Sequence, residues 1–381
     1  MKRLVTRVVV IAAIITVLGG STVVAADAES QVVVPEWVTK MKINGDIRAR
    51  FEDVQVDEDT SKSRFRGRVR IGIYGDVNEQ MDWGFRLASG SDESPTSSNQ
   101  SLDDFGSKRE IWMDLGYFGW RPADIQDLHL VIGKIKKPWN DVSNLIWDSD
   151  FNPEGINAKY SKNGFTAQIG QYLMKDNAFG DDPNEDIGMT SAQLHGGLDV
   201  AENVKLSCGI AAFLYQNIKG AEVIKSDAEK VLSNGNTTTD VENEDGSVTK
   251  NWANNYEEID TTVSLDIKRG TLPVKLYGEY VVNIAADSDE DDGWRAGIKG
   301  SCFCKRLSVD YNYRDLGRDA VLGVLTDSDF GGGGTGSKGH SIKAKYKALE
   351  NCTLGLAFLL ADNSVKESDV DTLQLDIVVK F

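Results

Sequence analysis

The sequence predicts an all-β protein, a transmembrane antiparallel β-barrel of sixteen strands. Three observations predict this fold: segments of about ten residues in which apolar and polar residues alternate, connections that are by turns short and long, and a strongly charged polar face on the strands. The composition agrees, because 37 Gly, only 7 Pro and aromatic residues spread along the chain suit strands joined by turns.

Composition and charge exclude several classes of protein. The 381 residues include 42 basic and 59 acidic side chains, and the resulting net charge of −17 argues against a nucleic-acid partner. The mean hydropathy is −0.32, and no apolar run reaches the roughly 18 residues that a membrane-spanning helix needs. A polytopic helical membrane protein is therefore excluded.

The first 26 residues have the plan of a secretory signal peptide. Three basic residues (Lys2, Arg3 and Arg7) precede an apolar stretch at 8–18, and small residues follow. Cleavage is expected after Ala26 or Ala28. A membrane anchor is the less favoured alternative, because this stretch spans only about half of a bilayer core. The predicted organisation is a signal peptide (1–26), a short periplasmic segment (27–40) and a barrel domain (41–381).

Alternation along the chain fixes the expected strands. They span 41–54, 65–77, 81–90, 108–120, 128–136, 155–161, 165–173, 189–200, 204–216, 256–268, 272–283, 293–303, 307–315, 339–347, 352–361 and 370–381. In the first, Ile43, Ile47 and Phe51 share one face, while Asp46 and Arg48 share the other. A basic residue facing lipid at the midplane would cost about 2–4 kcal/mol, so the uncharged face is expected to point outward.

The connections divide into two kinds. Short turns are expected at 78–80, 162–164, 201–203, 269–270, 304–306 and 349–351. Long loops are expected at 55–64, 91–107, 137–154, 174–188, 217–255, 284–292, 316–338 and 362–369. Short turns at one end and long loops at the other are typical of an outer-membrane barrel with periplasmic turns and extracellular loops. A β-sandwich has no reason to sort its connections this way. The longest loop, 217–255, is expected to be mobile and to hold little strand.

The last strand carries a further signal. Leu373, Leu375, Ile377 and Val379 alternate with more polar residues, and the chain closes on Phe381. An amphipathic final strand with a terminal aromatic residue is similar to the signature read by the outer-membrane barrel assembly machinery. Phe381 is therefore expected to act as the assembly signal.

Several local motifs resemble the putative porin family of Gram-negative outer membranes. They are INGDIRAR at 43–50, the Arg-rich run at 64–70, GFRLASG at 84–90, SNQ at 98–100, GK at 133–134 before PW at 138–139, and WDSDFNPEG at 147–155. The likeness is dense from about 42 to 215 and thin afterwards. It implies a pore in the outer membrane, and likeness to general porins implies a homotrimer.

The loop at 137–154 occupies the place where the general diffusion porins fold a constriction loop into the barrel. It carries four acidic residues: Asp141, Asp148, Asp150 and Glu154. Basic residues line the polar face of three neighbouring strands: Arg48, Arg50, Arg66, Arg68, Arg70 and Arg86. The favoured interpretation is a transverse field across a narrow lumen.

Two other interpretations of the Arg residues remain open. Asp46, Glu52, Asp82 and Asp114 could neutralise a ladder that only fills the wall, or the cluster could bind a phosphate or carboxylate solute. Lys343, Lys345 and Lys347 share one strand face and could extend the positive lining, although plain solvation is the favoured interpretation. The Arg wall favours anions and the net charge favours cations, and local pore charge should outweigh distant charge because of screening.

No metal site or cofactor is expected. The acidic stretches at 181–186 and 287–293 do not fit an EF-hand, and Cys302 and Cys304 lack the second pair or nearby His that zinc needs. Acidic loop tips bridged by divalent cations to lipopolysaccharide are the preferred interpretation of these stretches.

An enzyme is not expected, because the chain has only three His and no Gly-x-Ser-x-Gly. The predicted function is therefore passive diffusion of small hydrophilic solutes and ions through the outer membrane. Outer-membrane lipid is the expected surrounding. A non-conducting structural or adhesive barrel that acts through its acidic loops is the alternative.

Overall fold

The computed structural model describes residues 38, 40–57, 60–91, 94–176, 186–224, 231–243, 245–269, 272–301 and 306–381. The predicted signal peptide lies outside the described residues, as do Cys302, Cys304, nearly all of the segment 27–40 and parts of the turns at 269–270 and 304–306. In the described part of the chain, no helix has the length and apolar character needed to cross a membrane.

Nineteen β-strands are present among the described residues. They are β1 (Lys42–Val56), β2 (Thr60–Asp76), β3 (Met81–Ser89), β4 (Gln100–Ser101), β5 (Ile111–Trp120), β6 (Leu128–Lys134), β7 (Glu154–Lys162), β8 (Phe165–Lys175), β9 (Ile187–Ala201), β10 (Val204–Gln216), β11 (Thr238–Glu242), β12 (Val248–Trp252), β13 (Glu257–Arg269), β14 (Leu272–Asn283), β15 (Asp292–Ser301), β16 (Leu307–Leu316), β17 (Ser337–Leu349), β18 (Cys352–Asn363) and β19 (Ser368–Lys380).

Sixteen of these strands form a closed antiparallel barrel. Each pairs with its neighbours in chain order, and β1 pairs with β19, where Arg48 lies opposite Val378. The short β4 pairs with β2 outside this order, and β11 pairs with β12 in a separate hairpin. The predicted sixteen-stranded barrel is confirmed, and the predicted strand ends differ from the observed ones by only a few residues.

Burial along the wall is the reverse of that in a soluble protein. Ile47 and Ile71 are 50% and 44% exposed on the outer face, while Asp46 and Arg68 on the inner face are 7% and 8% exposed. Apolar side chains exposed around a closed sheet suit lipid, and the polar residues between them line the interior. The side-chain alternation of period two thus separates a lipid face from a lumenal face.

Part of the interior is filled by an apolar cluster. The inner face of the wall supplies Tyr172, Met189, Phe213, Val281 and Leu316. Three connections supply the rest, and we name them here: the Trp loop (135–153), the hairpin loop (217–256) and the Gly loop (317–336). Their buried members include Trp139, Leu145, Trp147, Ile218, Trp252, Val321 and Leu325. The cluster therefore joins loops and wall into one packed unit on one side of the lumen.

The hairpin loop is more ordered than its sequence suggests. β11 and β12 pair from Thr238 to Trp252 around a turn in which Gly246 has a φ of +79°. The expectation of little strand in this segment was wrong. Its strands are short and polar and show little apolar alternation, so only the Asp245-Gly246 turn signals the hairpin locally.

The barrel seam is closed by the end of the chain. The Gly45 amide donates to the Phe381 carbonyl at 2.9 Å, and the Phe381 amide donates to the Gly45 carbonyl at 3.1 Å. A Cβ atom on Gly45 would lie 2.7 Å from Cζ of the Phe381 ring. Glycine is therefore needed at this position for the ring to lie against β1.

Candidate functional site

Arg side chains crowd the inner face of β1 and β2. In the pairing register Arg48 lies opposite Arg68, and Arg50 lies opposite Arg66. Like charges directly opposite each other in a sheet destabilise it unless counter-charges are close. The distribution of carboxylates around these Arg residues therefore determines what the site can do.

Carboxylates of the wall provide the first set of counter-charges. Asp46 accepts from Nη2 of Arg68 at 2.7 Å and from Nε of Arg70 at 2.8 Å. Glu52 accepts from Nε of Arg64 at 2.7 Å and lies 3.5 Å from Arg66.

Two further wall carboxylates are placed differently. Asp114 pairs with Arg86, whereas Asp82 contacts Arg121 and His129 and no Arg of the wall cluster. Three of the four carboxylates considered as neutralising partners thus contact the Arg residues.

The Trp loop provides a second counter-charge. Asp150 Oδ1 lies 3.2 Å from Nη1 of Arg70 and 3.7 Å from Nη1 of Arg68. The backbone amide of Ser98 also donates to Asp150, at 3.2 Å. Burial alone would raise the pKa of Asp150, but the charges of Arg68 and Arg70 and the contacts with Ser98 hold it below its usual value.

Asp148, two residues earlier, is in a different electrostatic environment. It is buried, and its Oδ2 accepts from the backbone amide of Ser328 at 3.0 Å. Burial, together with the nearby charge of Asp327, raises the pKa of Asp148 to about 7. Two carboxylates of one loop thus have pKa values shifted in opposite directions.

The Gly loop contributes further charged contacts. Asp329 Oδ2 lies 3.0 Å from Nη1 of Arg50, and Asp327 Oδ2 lies 3.3 Å from Nη1 of Arg314. The Arg314 guanidinium also lies 3.7 Å from the centroid of the Phe330 ring. The Asp148 amide donates to the Leu325 carbonyl at 2.8 Å and so joins this loop to the Trp loop.

Contacts on other parts of the wall hold the Trp loop in place. Nη1 of Arg295 on β15 donates to Asn144 Oδ1 at 2.6 Å, and Ser143 bonds to Glu279 on β14. The Asn140 amide donates to Gln193 Oε1 on β9 at 2.7 Å. Since Asp150 contacts β2, this one loop reaches strands on widely separated parts of the barrel.

Aromatic packing fixes the same loop. The ring centroids of Trp139 and Trp147 are 4.7 Å apart, and Trp147 stacks on Phe151 at 5.2 Å. Phe213 of β10 packs edge-on against Trp147 at 4.9 Å. These contacts leave the loop little freedom to move away from the wall.

Two cavities flank the segment around Asp150. One, of about 190 Å³, lies between the two loops and the wall formed by β1 and β17–β19, and its lining includes Arg48, Arg50, Asp148, Asp329, Lys343 and Lys345. The other, of about 530 Å³, is more apolar, and its lining includes Trp112, Lys134, Phe151, Trp252 and Leu325. Asp150 borders both.

The predicted site residues do not all meet. Arg50, Arg68 and Arg70 contact carboxylates of the loops, while Arg66 and Arg86 contact wall carboxylates. Asp141 pairs with Lys137 at 2.9 Å, and Glu154, 60% exposed, pairs with Lys134 at 2.6 Å. Asp148 and Asp150 are thus the two predicted acidic residues that reach this network.

Sequence reasoning missed the charges of the Gly loop. Asp327 and Asp329 precede a run of four glycines at 331–334, and an acidic segment beside a Gly run suggested an exterior loop. Ser98 and Asn99 also belong to the network, although they were noted only as part of the family resemblance. Among the described residues, no group of three or more His, Cys, Asp or Glu side chains is arranged to hold a metal ion.

Comparisons with known proteins agree with this architecture. A solved structure of OprB from Pseudomonas putida at high pH superposes with a TM-score of 0.61 at 10% identity, over 90% of this chain and 95% of that chain. A loop L8 deletion mutant of OmpT from Vibrio cholerae gives 0.54 at 10%, over 90% and 99%. Salmonella typhi OmpF in complex with daunomycin gives 0.52 at 12%, over 90% and 97%.

At such low identity these likenesses show the fold alone. No curated protein sequence matches the chain significantly. A family model described as putative porin matches residues 54–295 and 305–381, which is most of the chain. The family implies an outer-membrane location. The chain belongs to the putative porin family.

Proposed function

We propose that the protein is an outer-membrane porin that passes small hydrophilic solutes and ions by passive diffusion, without covalent chemistry or a cofactor. The observation that carries this proposal is the contact of Asp150 with Arg68 and Arg70 inside the barrel. It places a negative loop against a positive wall, and a solute that crosses the barrel would meet both charges.

In this proposal the loop at 137–154 is the constriction. Its contacts with β2, β9, β14 and β15 support a course across the lumen, and its apolar residues pack on one side. The remaining space lies beside the basic residues of β1, β2 and β17. We infer that solutes pass through an eccentric opening with an Arg-rich wall.

The test is the conductance of refolded protein in a planar bilayer under a salt gradient. Replacing Arg68 and Arg70 by Gln leaves Asp46 and Asp150 uncompensated, so the reversal potential is expected to shift toward cation preference. Arg121→Gln is the matched control, because Arg121 pairs with Asp82 and contacts none of the wall carboxylates near the cavity. An unchanged ion preference in the double variant would contradict the proposed role of the wall.

A second candidate is a non-conducting structural or adhesive barrel. The observation that favours it is the packing of three loops into one apolar cluster inside the barrel. Stable insertion of the wild-type protein without current steps would support this candidate and contradict the porin.

The remaining proposals concern export and assembly. We propose cleavage of the signal peptide at 26 or 28, a homotrimer, recognition of Phe381 by the barrel assembly machinery and contact of the acidic loops with lipopolysaccharide. The hydrogen bonds of Phe381 with Gly45 support a role for this residue in seam closure. N-terminal sequencing of the exported protein and cross-linking in membranes test the cleavage and the trimer.

A further inference from the structure

Three cationic side chains that line one cavity have no ion pair with a carboxylate among the described residues. Arg48 donates only to Asn99 Oδ1, from Nε at 3.1 Å and from Nη2, in the part of the chain that the structure describes. Neither Lys343 nor Lys345 has a hydrogen bond or ion pair with any described residue. All three side chains line the cavity of about 190 Å³.

The five carboxylates of the same cavity have other partners. Asp327 pairs with Arg314 at 3.3 Å, and Asp148 accepts from the backbone amides of Asp150 and Ser328. Asp376 accepts from Nε and Nη2 of Arg50 at 2.7 and 2.9 Å, and Asp329 accepts from Nη1 of the same guanidinium. Asp150 contacts Arg68 and Arg70, as described above. Four of these carboxylates are thus paired with guanidinium groups, whereas Arg48, Lys343 and Lys345 have no ion pair among the described residues.

Asp310 is the wall carboxylate nearest in register to Lys343, since the two residues lie opposite each other in β16 and β17. Its Oδ1 accepts from the Tyr277 hydroxyl at 2.8 Å and from Asn312 Nδ2 at 3.2 Å. No ion pair joins it to Lys343 among the described residues. The ammonium group thus keeps its full donor capacity.

Small residues of β18 leave room beside these cations. Gly355 lies opposite Lys345 and Ala357 lies opposite Lys343, and both border the cavity. The cavity corresponds to about six water molecules at about 30 Å³ each, which is enough for a small polyatomic anion. Space and cationic donors without an ion-pair partner therefore coincide at one place.

We propose that Arg48, Lys343 and Lys345 form a binding site for small oxyanions that carry a carboxylate or phosphate group. Guanidinium and ammonium groups are suited to such oxygens, the first as a planar donor and the second as a point charge. The site rests on the proposed function, because a solute reaches it through the lumen. It gives the porin a preference among small solutes, for dianions over neutral molecules of equal size.

The test combines equilibrium binding and current. Isothermal titration of the folded, detergent-solubilised full-length protein with inorganic phosphate and with succinate measures binding without any requirement for conduction. Block of chloride current by the same two anions measures occupancy in the open channel. Two variants remove charges of the site: the single variant Arg48→Gln and the double variant that combines Lys343→Gln with Lys345→Gln. The control variant Lys347→Gln removes a charge on the same strand face outside the cavity lining.

Saturable binding by the wild type and Lys347→Gln, with affinity lowered about tenfold or more in the other two variants, is the expected result. Binding of phosphate but not succinate, or the reverse, shows whether the site selects a phosphate or a carboxylate group. No saturable binding by the wild type, or equal binding by all variants, overturns the site. A protein that binds but never conducts overturns the porin and leaves the site standing.

Discussion

At the residue scale, Asp148 is the group whose charge state matters most for the loops. It accepts from Ser328 of the Gly loop, and it lies close to Asp327 and Asp150. Nζ of Lys137 donates to the Asp148 carbonyl oxygen at 2.8 Å. Ionisation of Asp148 therefore places a second negative charge beside Asp327 in a buried position.

The raised pKa predicts how stability depends on pH. Because the carboxyl binds its proton more tightly in the native protein than in the unfolded chain, its contribution is complete below its usual pKa and is lost as the pH rises through about 7. Asp148→Asn keeps an acceptor for Ser328 but does not titrate. Melting temperatures should fall less between about pH 5 and pH 8 in this variant than in the wild type. Equal slopes in the two proteins would contradict the assignment.

At the element scale, the Trp loop depends on aromatic packing more than on charge. Trp147 is 2% exposed and contacts Trp139, Phe151 and Phe213. The charged end of the loop is aimed at the wall because its apolar part is fixed in the cluster. Loss of this anchor should therefore move Asp148 and Asp150 while leaving the barrel strands in place.

Trp147→Ala tests this dependence. Such a change in a packed core lowers the free energy of unfolding by about 3–5 kcal/mol. Here the loss destabilises the loop and its cluster. We expect noisier single-channel current and a larger conductance, with an unchanged strand spectrum in circular dichroism. Trp120→Ala, at an exposed position on β5, is the matched control and should behave as the wild type. Identical current traces for both variants would show that the loop does not narrow the path.

Strands and loops differ in how far sequence could predict them. Alternation of period two is a local property, so the faces of the strand on which Ile47 and Arg48 lie can be predicted without considering the rest of the chain. The inward course of the Gly loop depends on two ion pairs. Arg50 is distant in sequence from its partner Asp329, whereas Arg314 is near in sequence to its partner Asp327. Nothing local distinguishes those aspartates from solvated ones. Asp148 and Asp150 were found only because their loop has the position of a known constriction.

At the scale of the whole molecule, the barrel has two unlike halves. Basic residues crowd the inner face of β1, β2 and β17, whereas the apolar wall residues that hold the loops lie on β8–β10, β14 and β16. Closure of the sheet between β1 and β19 brings these halves into one ring. The arrangement of the loops and charged residues inside the barrel therefore depends on an intact seam.

Substitution at the seam should disturb the entire barrel. Gly45→Ala would press a methyl group against the Arg70 carbonyl oxygen of β2 and place it 2.7 Å from the Phe381 ring, whereas the same change at Gly67 meets its nearest atom, in Leu102, at an ordinary 3.6 Å. We expect a smaller heat-modifiable folded fraction on gel electrophoresis for the first variant and a normal one for the second. A fully folded Gly45→Ala protein would show that β2 and Phe381 can both shift away from the added methyl group without loss of folding.

The enclosed apolar cluster also bears on the order in which the protein assembles. Asp46 and Lys380 pair at opposite ends of the sequence, so the seam is among the most non-local contacts of the chain. The wall residues of the cluster lie on β8–β10, β14 and β16 and none lies on β1 or β19, so the cluster can pack around Trp139 and Trp252 before the seam closes. Closure between β1 and β19 is therefore expected to be a late and slow step, because it joins the most distant strands of the chain.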